Sequence, residues 1–112
     1  MPRARFSPLV VKAVEMVVRY GRPQAVYVFG SHARGEATGA SDLDLLLVYE
    51  ERAPPAMGRI LRQLFAAYPL RVDLAFRSRD EMERAERGGA DTFVVTALRS
   101  ARRVHPPAGD RA

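Results

Sequence analysis

Apolar positions along the chain change period repeatedly, and each change marks an element. From Pro8 onward Val10, Val14, Val17 and Val18 recur at helical spacing until Gly21. Ser7-Pro8 opens this run as a capping hydroxyl followed by proline at the first helical position, which predicts a helix over about residues 8–20. After Gly21-Arg22-Pro23, the run Ala25 to Phe29 (AVYVF) is β-branched and aromatic with no polar residue, the pattern of a strand covered on both faces. It stops at Gly30-Ser31. The following HARGEATGAS is small, polar and glycine-bearing, and predicts a short helical turn and then a loop to Ser41.

Alternation takes over in DLDLLLVYE. As a strand, this segment puts Asp42, Asp44, Leu46 and Val48 on one face and Leu43, Leu45, Leu47 and Tyr49 on the other. Beyond the turn ERAPP, the residues Met57, Ile60, Leu61, Leu64, Phe65 and Tyr68 form an amphipathic helical stripe. LRVDLAF predicts a third strand, with Val72, Leu74 and Phe76 on the apolar face and Arg71, Asp73 and Ala75 opposite. Ser78-Arg79-Asp80-Glu81 has the form of a capping box and starts a charged helix ending at Gly88-Gly89. Asp91 then caps a last helix carrying Val94, Ala97, Leu98 and Ala101, on which Arg99, Arg102 and Arg103 also fall. The alternation of helices and strands predicts an α/β (α+β) domain, a small sheet of three or more strands with helices packed on it. The domain is expected over residues 1–105, with a flexible tail over 106–112.

Composition narrows the classes of function. With 47% hydrophobic and 28% charged residues in 112, the chain is expected to fold as one ordinary globular domain. The absence of cysteine excludes disulfides, thiolate metal sites and a cysteine nucleophile, leaving the cytoplasm as the default location. No run approaches the roughly 20 apolar residues of a membrane span. The net charge of +5 favours anionic partners such as nucleotides, RNA or an acidic protein.

Aspartate is depleted in strands, yet three occur in two predicted ones. Asp42 and Asp44 project from the same face with α-carbons roughly 6.5 Å apart, so both reach one divalent ion. Oxygen donors without cysteine point to Mg2+ or Mn2+. If the third strand lies beside the second, Asp73 completes a cluster whose mutual repulsion calls for bound cations. Two ions about 3.5–4 Å apart are the usual device for in-line nucleotidyl transfer. Gly30-Ser31 offers the phosphate cradle this chemistry needs, with Arg34 adding charge. RNA binding without chemistry accounts for the charge and leaves the aspartates unexplained, so direct nucleic-acid binding is not expected.

The segment VFGSHARGEATGASDLDLLL, followed by the lone strand aspartate Asp73, resembles the signature of the DNA polymerase β nucleotidyltransferase superfamily. The short chain is similar to its minimal nucleotidyltransferase (MNT) branch, over roughly residues 8–105. The resemblance implies a mixed sheet, Asp42 and Asp44 holding two Mg2+ ions, and Asp73 holding the catalytic one and orienting or deprotonating the acceptor hydroxyl. It also implies Gly30 and Ser31 gripping the triphosphate of ATP. Arg34, for its charge, and Ser41, beside Asp42, are further nucleotide-binding candidates. MNT proteins are typically paired with a HEPN-domain ribonuclease toxin, and members acting as antitoxins transfer AMP to a tyrosine of that partner. The alternatives are an antitoxin that acts by binding alone and, further off, a transferase for a small molecule such as an aminoglycoside. His32 departs from the arginine often found there, and Arg99-x5-His105 resembles a HEPN ribonuclease spacing that coincidence also explains. Tyr27, Tyr49 and Tyr68 fall at apolar-pattern positions and are expected in the core or at its edge.

Overall fold

The computed structural model describes residues 6–88 and 91–107. Helix α1 (Pro8–Gly21) starts where the sequence places it, with Ser7 Oγ accepting from Val10 N at 3.3 Å. Its C-terminus turns at Arg22, in the left-handed conformation with φ 53°. Strand β1 (Ala25–Phe29), the single-turn helix α2 (Ser31–Arg34) and strand β2 (Leu43–Tyr49) follow. Helix α3 (Met57–Leu64) then crosses to β3 (Val72–Ser78), and α4 (Arg79–Glu86), α5 (Thr92–Leu98) and β4 (Arg102–His105) complete the order.

The four strands form one mixed sheet in the order β3-β2-β1-β4. β1 lies antiparallel between β2 and β4, while β2 and β3 are parallel, as the α3 crossover between them requires. Side-chain alternation divides the core. Leu43, Leu45, Leu47 and Tyr49 pack with Val10, Ala13, Val17, Leu61 and Phe65 from α1, α3 and the turn after it. On the other face Leu46 and Val48 pack with Met82, Ala85 and Val94 from α4 and α5. The sheet is therefore the middle of three layers, and β1 and β2 are covered on both sides, which is why they read as nearly continuous apolar runs.

Three expectations are corrected. The last helix ends at Leu98, and Arg102 and Arg103 lie on β4, paired with Val28 and Tyr27. Four residues rich in arginine carry no legible alternation, and their pairing partner lies far away in sequence. Asp42 precedes β2 instead of lying within it. The apolar stripe of α3 is also narrower than its periodicity suggests: Leu61 and Phe65 are buried, whereas Ile60 and Leu64 are 45% and 36% exposed. That helix stops at Leu64 and shares its face of the sheet with α1, so one ridge alone reaches the core. The expected tail falls outside the described residues from position 108 onward, and Gly89 also lies outside them.

The capping box at Ser78 forms in full, with Ser78 Oγ accepting from Glu81 N at 3.1 Å and Glu81 Oε1 accepting from Ser78 N at 2.8 Å. α5 is tied to β3 by Arg77. The guanidinium donates to Asp91 Oδ2 at 2.7 Å and to the Phe76 carbonyl at 2.8 Å, and lies 5.3 Å from the centroid of the Phe93 ring. Asp91 caps α5 by accepting from Val94 N, so one carboxylate serves both the cap and the pair. Arg77→Ala is expected to destabilise the fold by roughly 1–3 kcal/mol, measured as the urea midpoint. The hydrogen bond from Arg77 holds the Asp91 carboxyl below its ordinary range. A depressed carboxyl contributes stability that is present above its unfolded value near pH 4 and is lost as pH falls through the folded one. The gap between wild type and variant should therefore narrow below about pH 4. An unchanged midpoint at pH 7 would mean that α5 docks without this pair.

Candidate active site

Two strand ends and one strand-to-helix turn meet at one end of the sheet. β1 arrives with Phe29 opposite Asp44 of β2, and β2 places Asp44 directly in register with Asp73 of the parallel strand β3. Like charges set opposite one another across a strand pair are unfavourable, so sheet pairing alone gives no reason for them. Asp42, two residues before Asp44, extends the acidic edge, and Leu43 N donates to the Arg71 carbonyl at 2.8 Å to hold the two strand entries together.

Electrostatics at this edge follow from the geometry. Asp44 is partly buried, and burial first of all raises its carboxyl above the usual range. The charges of Asp73 and Asp42 push it in the same direction, while His32 and Arg34 pull it back. Arg71 stands between the other two, its Nε 3.8 Å from Asp42 Oδ2 and 3.9 Å from Asp73 Oδ1. Among the described residues no three His, Asp or Glu side chains converge closely enough to hold an ion as they stand. The cation shared by Asp42 and Asp73 is the Arg71 guanidinium, whose side chain is 77% exposed.

Gly30 forms the floor. Its φ of 74° and ψ of −154° lie in a region reserved for glycine, and a Cβ here would collide with the Asp44 carboxylate. Ser31 begins α2 and Arg34 ends it, the latter's Nε donating to Glu36 Oε1 at 2.9 Å on the surface. From the far side of the turn, Arg102 donates to the Ala33 carbonyl at 2.8 Å and braces α2 against β4. His32 Nε2 lies 3.4 Å from the Ser41 carbonyl, linking α2 to the loop that delivers Asp42. That loop is folded on itself, with Ser41 Oγ accepting from Thr38 N at 2.9 Å.

Gly30, Ser31, Arg34 and the three aspartates are thus brought to one end of the sheet, with Ser41 in the adjoining loop. Arg71, Arg102 and Glu36 were not anticipated. Strand alternation already sets Arg71 on the face of Asp73, which is the signal for it, whereas no local pattern marks Arg102. Among the tyrosines, Tyr49 donates to the Gly21 carbonyl at 2.8 Å and Tyr68 to the Leu9 carbonyl at 2.6 Å. Both serve the core and its edge. Arg99 follows α5, and His105 ends β4 beside Val26.

Comparison with known proteins bears on the family and the fold. No curated protein matches the sequence. A structure assigned as a minimal nucleotidyltransferase is 34% identical, with a TM-score of 0.53, and the match covers 82% of this chain and 85% of that one. A toxin-antitoxin crystal structure with AMP-PNP is 20% identical with a TM-score of 0.57, covering 82% of this chain and 69% of that one. A mutant of the toxin-antitoxin MntA-HpeT is 18% identical with a TM-score of 0.56 and the same coverages. At 20% and 18% identity, these two likenesses show a shared fold. The family model of the nucleotidyltransferase domain matches residues 10–103, and the chain belongs to that family.

Proposed function

We propose that this chain is a Mg2+-dependent nucleotidyltransferase that moves AMP from ATP to a hydroxyl, a tyrosine of a HEPN-domain toxin, and so acts as an antitoxin in the cytoplasm. The nucleotidyltransferase domain is taken to span residues 1–105. The observation that carries the reading is the pairing of Asp44 with Asp73 in register, against Gly30, with Asp42 joined to Asp73 through Arg71. Such a set raises the energy of the metal-free fold and is suited to hard cations.

The donor chemistry fits the metal. Asp42, Asp44 and Asp73 would hold it, and when bound it supplies charge neutralisation for the attacking and leaving oxygens. The chain's own residues do the rest. Gly30 lets the phosphates approach the backbone, the Ser31 hydroxyl and the Arg34 guanidinium bind their oxygens, and Ser41 closes the rim. Asp73 accepts the acceptor's proton as that oxygen bonds to the α-phosphorus. The bond from phosphorus to the bridging oxygen breaks, and pyrophosphate leaves with the electron pair. Burial and the neighbouring carboxylates make Asp44 the group with most to gain from a cation.

Support for an AMP donor and a toxin partner comes from the relatives, one a toxin-antitoxin structure with AMP-PNP and another the toxin-antitoxin MntA-HpeT. Among the described residues no helix is long and apolar enough to cross a membrane. The test is incubation of the protein, a HEPN-domain partner, labelled ATP and Mg2+. Label on a partner tyrosine is the expected result, and neutralisation of the toxin by an Asp44→Asn variant without label would instead favour an antitoxin acting by binding.

Arg71 supplies a further check. If its guanidinium holds the place of a cation between Asp42 and Asp73, then Arg71→Gln should tighten Mn2+ binding about two- to fivefold, the scale of one exposed ion pair. Titration of Mn2+ followed by electron paramagnetic resonance reads this directly. Weaker binding in the variant would make Arg71 a support of the site and not a competitor for it.

A further inference from the structure

Beside the Gly30 turn, on the face covered by α5, lies an open cavity of about 390 Å3. Phe29, Gly30 and Arg34 form one side, and Phe93, Thr96 and Ser100 the other. Its volume lies within the range of small-molecule sites. Thr92, Thr96 and Ser100, which line the cavity, recur every four residues along α5 and its C-terminal turn and so form one stripe.

Phe93 stands out beside this stripe. It is 41% exposed, although an aromatic ring gains most by burial. The ring is held in place all the same, edge-on to Phe29 with centroids 5.5 Å apart and with the Arg77 guanidinium 5.3 Å from its centroid. An exposed ring already fixed by neighbours offers stacking area at little further loss of conformational freedom. Beside it are Thr92, Thr96 and Ser100, whose side chains can donate and accept, and across the cavity are Gly30 and Arg34, two of the residues assigned above to the phosphates.

We propose that this cavity is the nucleoside subsite of the transferase, with Phe93 stacking on the base and the Thr92, Thr96 and Ser100 hydroxyls meeting the ribose and base edges. The inference rests on the reading above that Gly30 and Arg34 hold the triphosphate. Strand order favours a nucleoside here over the acceptor side chain. The cavity lies by β1, Asp44 on β2 comes next, and Asp73 on β3 is farthest, so a nucleotide entering from the β1 side leaves the β3 side to the acceptor.

The test compares two ligands, ATP and inorganic triphosphate, each titrated with Mg2+ by calorimetry into the full chain without acceptor. In Phe93→Ala, ATP binding should weaken about 5- to 100-fold, the range measured for loss of one base stack, while triphosphate binding stays as in wild type. Phe93→Tyr should restore ATP binding. Equal weakening for both ligands, or unchanged ATP affinity, overturns the subsite. Should Phe93→Ala fail to fold, Thr96→Val replaces it: a severalfold loss for ATP alone supports the subsite, and no loss overturns it. Wild-type protein that binds triphosphate as tightly as ATP overturns the subsite and spares the transferase reading. Binding of neither ligand overturns both.

Discussion

Asp44→Asn is expected to lower nucleotidyl transfer about 100- to 1000-fold, because the lost carboxylate would remove several kcal/mol of cation-borne charge stabilisation. The same substitution should make the metal-free protein more stable, and the opposite signs are the diagnostic part of the prediction. Asp44 is held above its ordinary range by burial and then by Asp73 and Asp42. A carboxyl whose folded value lies above its unfolded one destabilises the fold when ionised. That penalty is absent below the unfolded value and grows as pH rises through the folded one. Asparagine has nearly the same shape and no charge, so at pH 7 the variant should melt higher than wild type without Mg2+. Thermal unfolding and product formation, measured on the same preparation, decide the matter. Loss of stability and activity together would identify Asp44 as a structural residue, and retained turnover would remove it from the mechanism.

The second large effect is expected at Gly30. Alanine there must adopt φ near 74° with ψ near −154°, a conformation that costs a residue with a Cβ roughly 1–3 kcal/mol. The new methyl group also meets the Asp44 carboxylate, and overpacking of this kind adds about 1–3 kcal/mol more. With about 4 °C or more per kcal/mol for a domain of this size, Gly30→Ala should melt about 10 °C or more below wild type. Displacement of Asp44 should depress activity further than the lost stability explains. Gly39→Ala is the control, since nothing lies within 4 Å of a Cβ at that position in the same connection. Its melting temperature should stay within about 2–4 °C of wild type. Similar losses for the two variants would show that the turn is merely sensitive to substitution.

Local chemistry wrote several features directly into the sequence. Ser7-Pro8 and Asp91 carry their caps in a hydroxyl and a carboxylate acting within three residues, and Ser78 with Glu81 does so reciprocally. The strand alternation of Leu43 to Tyr49 divides the two core faces because successive side chains must point to opposite sides. The same alternation puts Asp44 on the face opposite Leu43 and Leu45, whereas Asp42 precedes β2 and lies outside that argument. Elements whose support is distant were harder to read. β4 has four residues, two of them arginines, and exists because Val26 to Val28 offer it a partner, so its own residues read as the end of a helix. Ile60 and Leu64 fit the helical period of α3 and yet face outward, because period states which residues share a face and not how much of it will be covered.

By itself the sequence determined the spacing of Gly30-Ser31, Asp42-x-Asp44 and Asp73, and with it the chemistry to expect, since those relations depend on backbone geometry over a few residues. Only the tertiary structure decided that β3 runs parallel beside β2 with Asp73 in register with Asp44. Only it set Gly30 against the Asp44 carboxylate, Arg71 between two aspartates, and α5 over the sheet to wall the neighbouring cavity. Strand order and register are fixed by burying both faces of one sheet at once, and that condition belongs to the whole chain and to no segment of it.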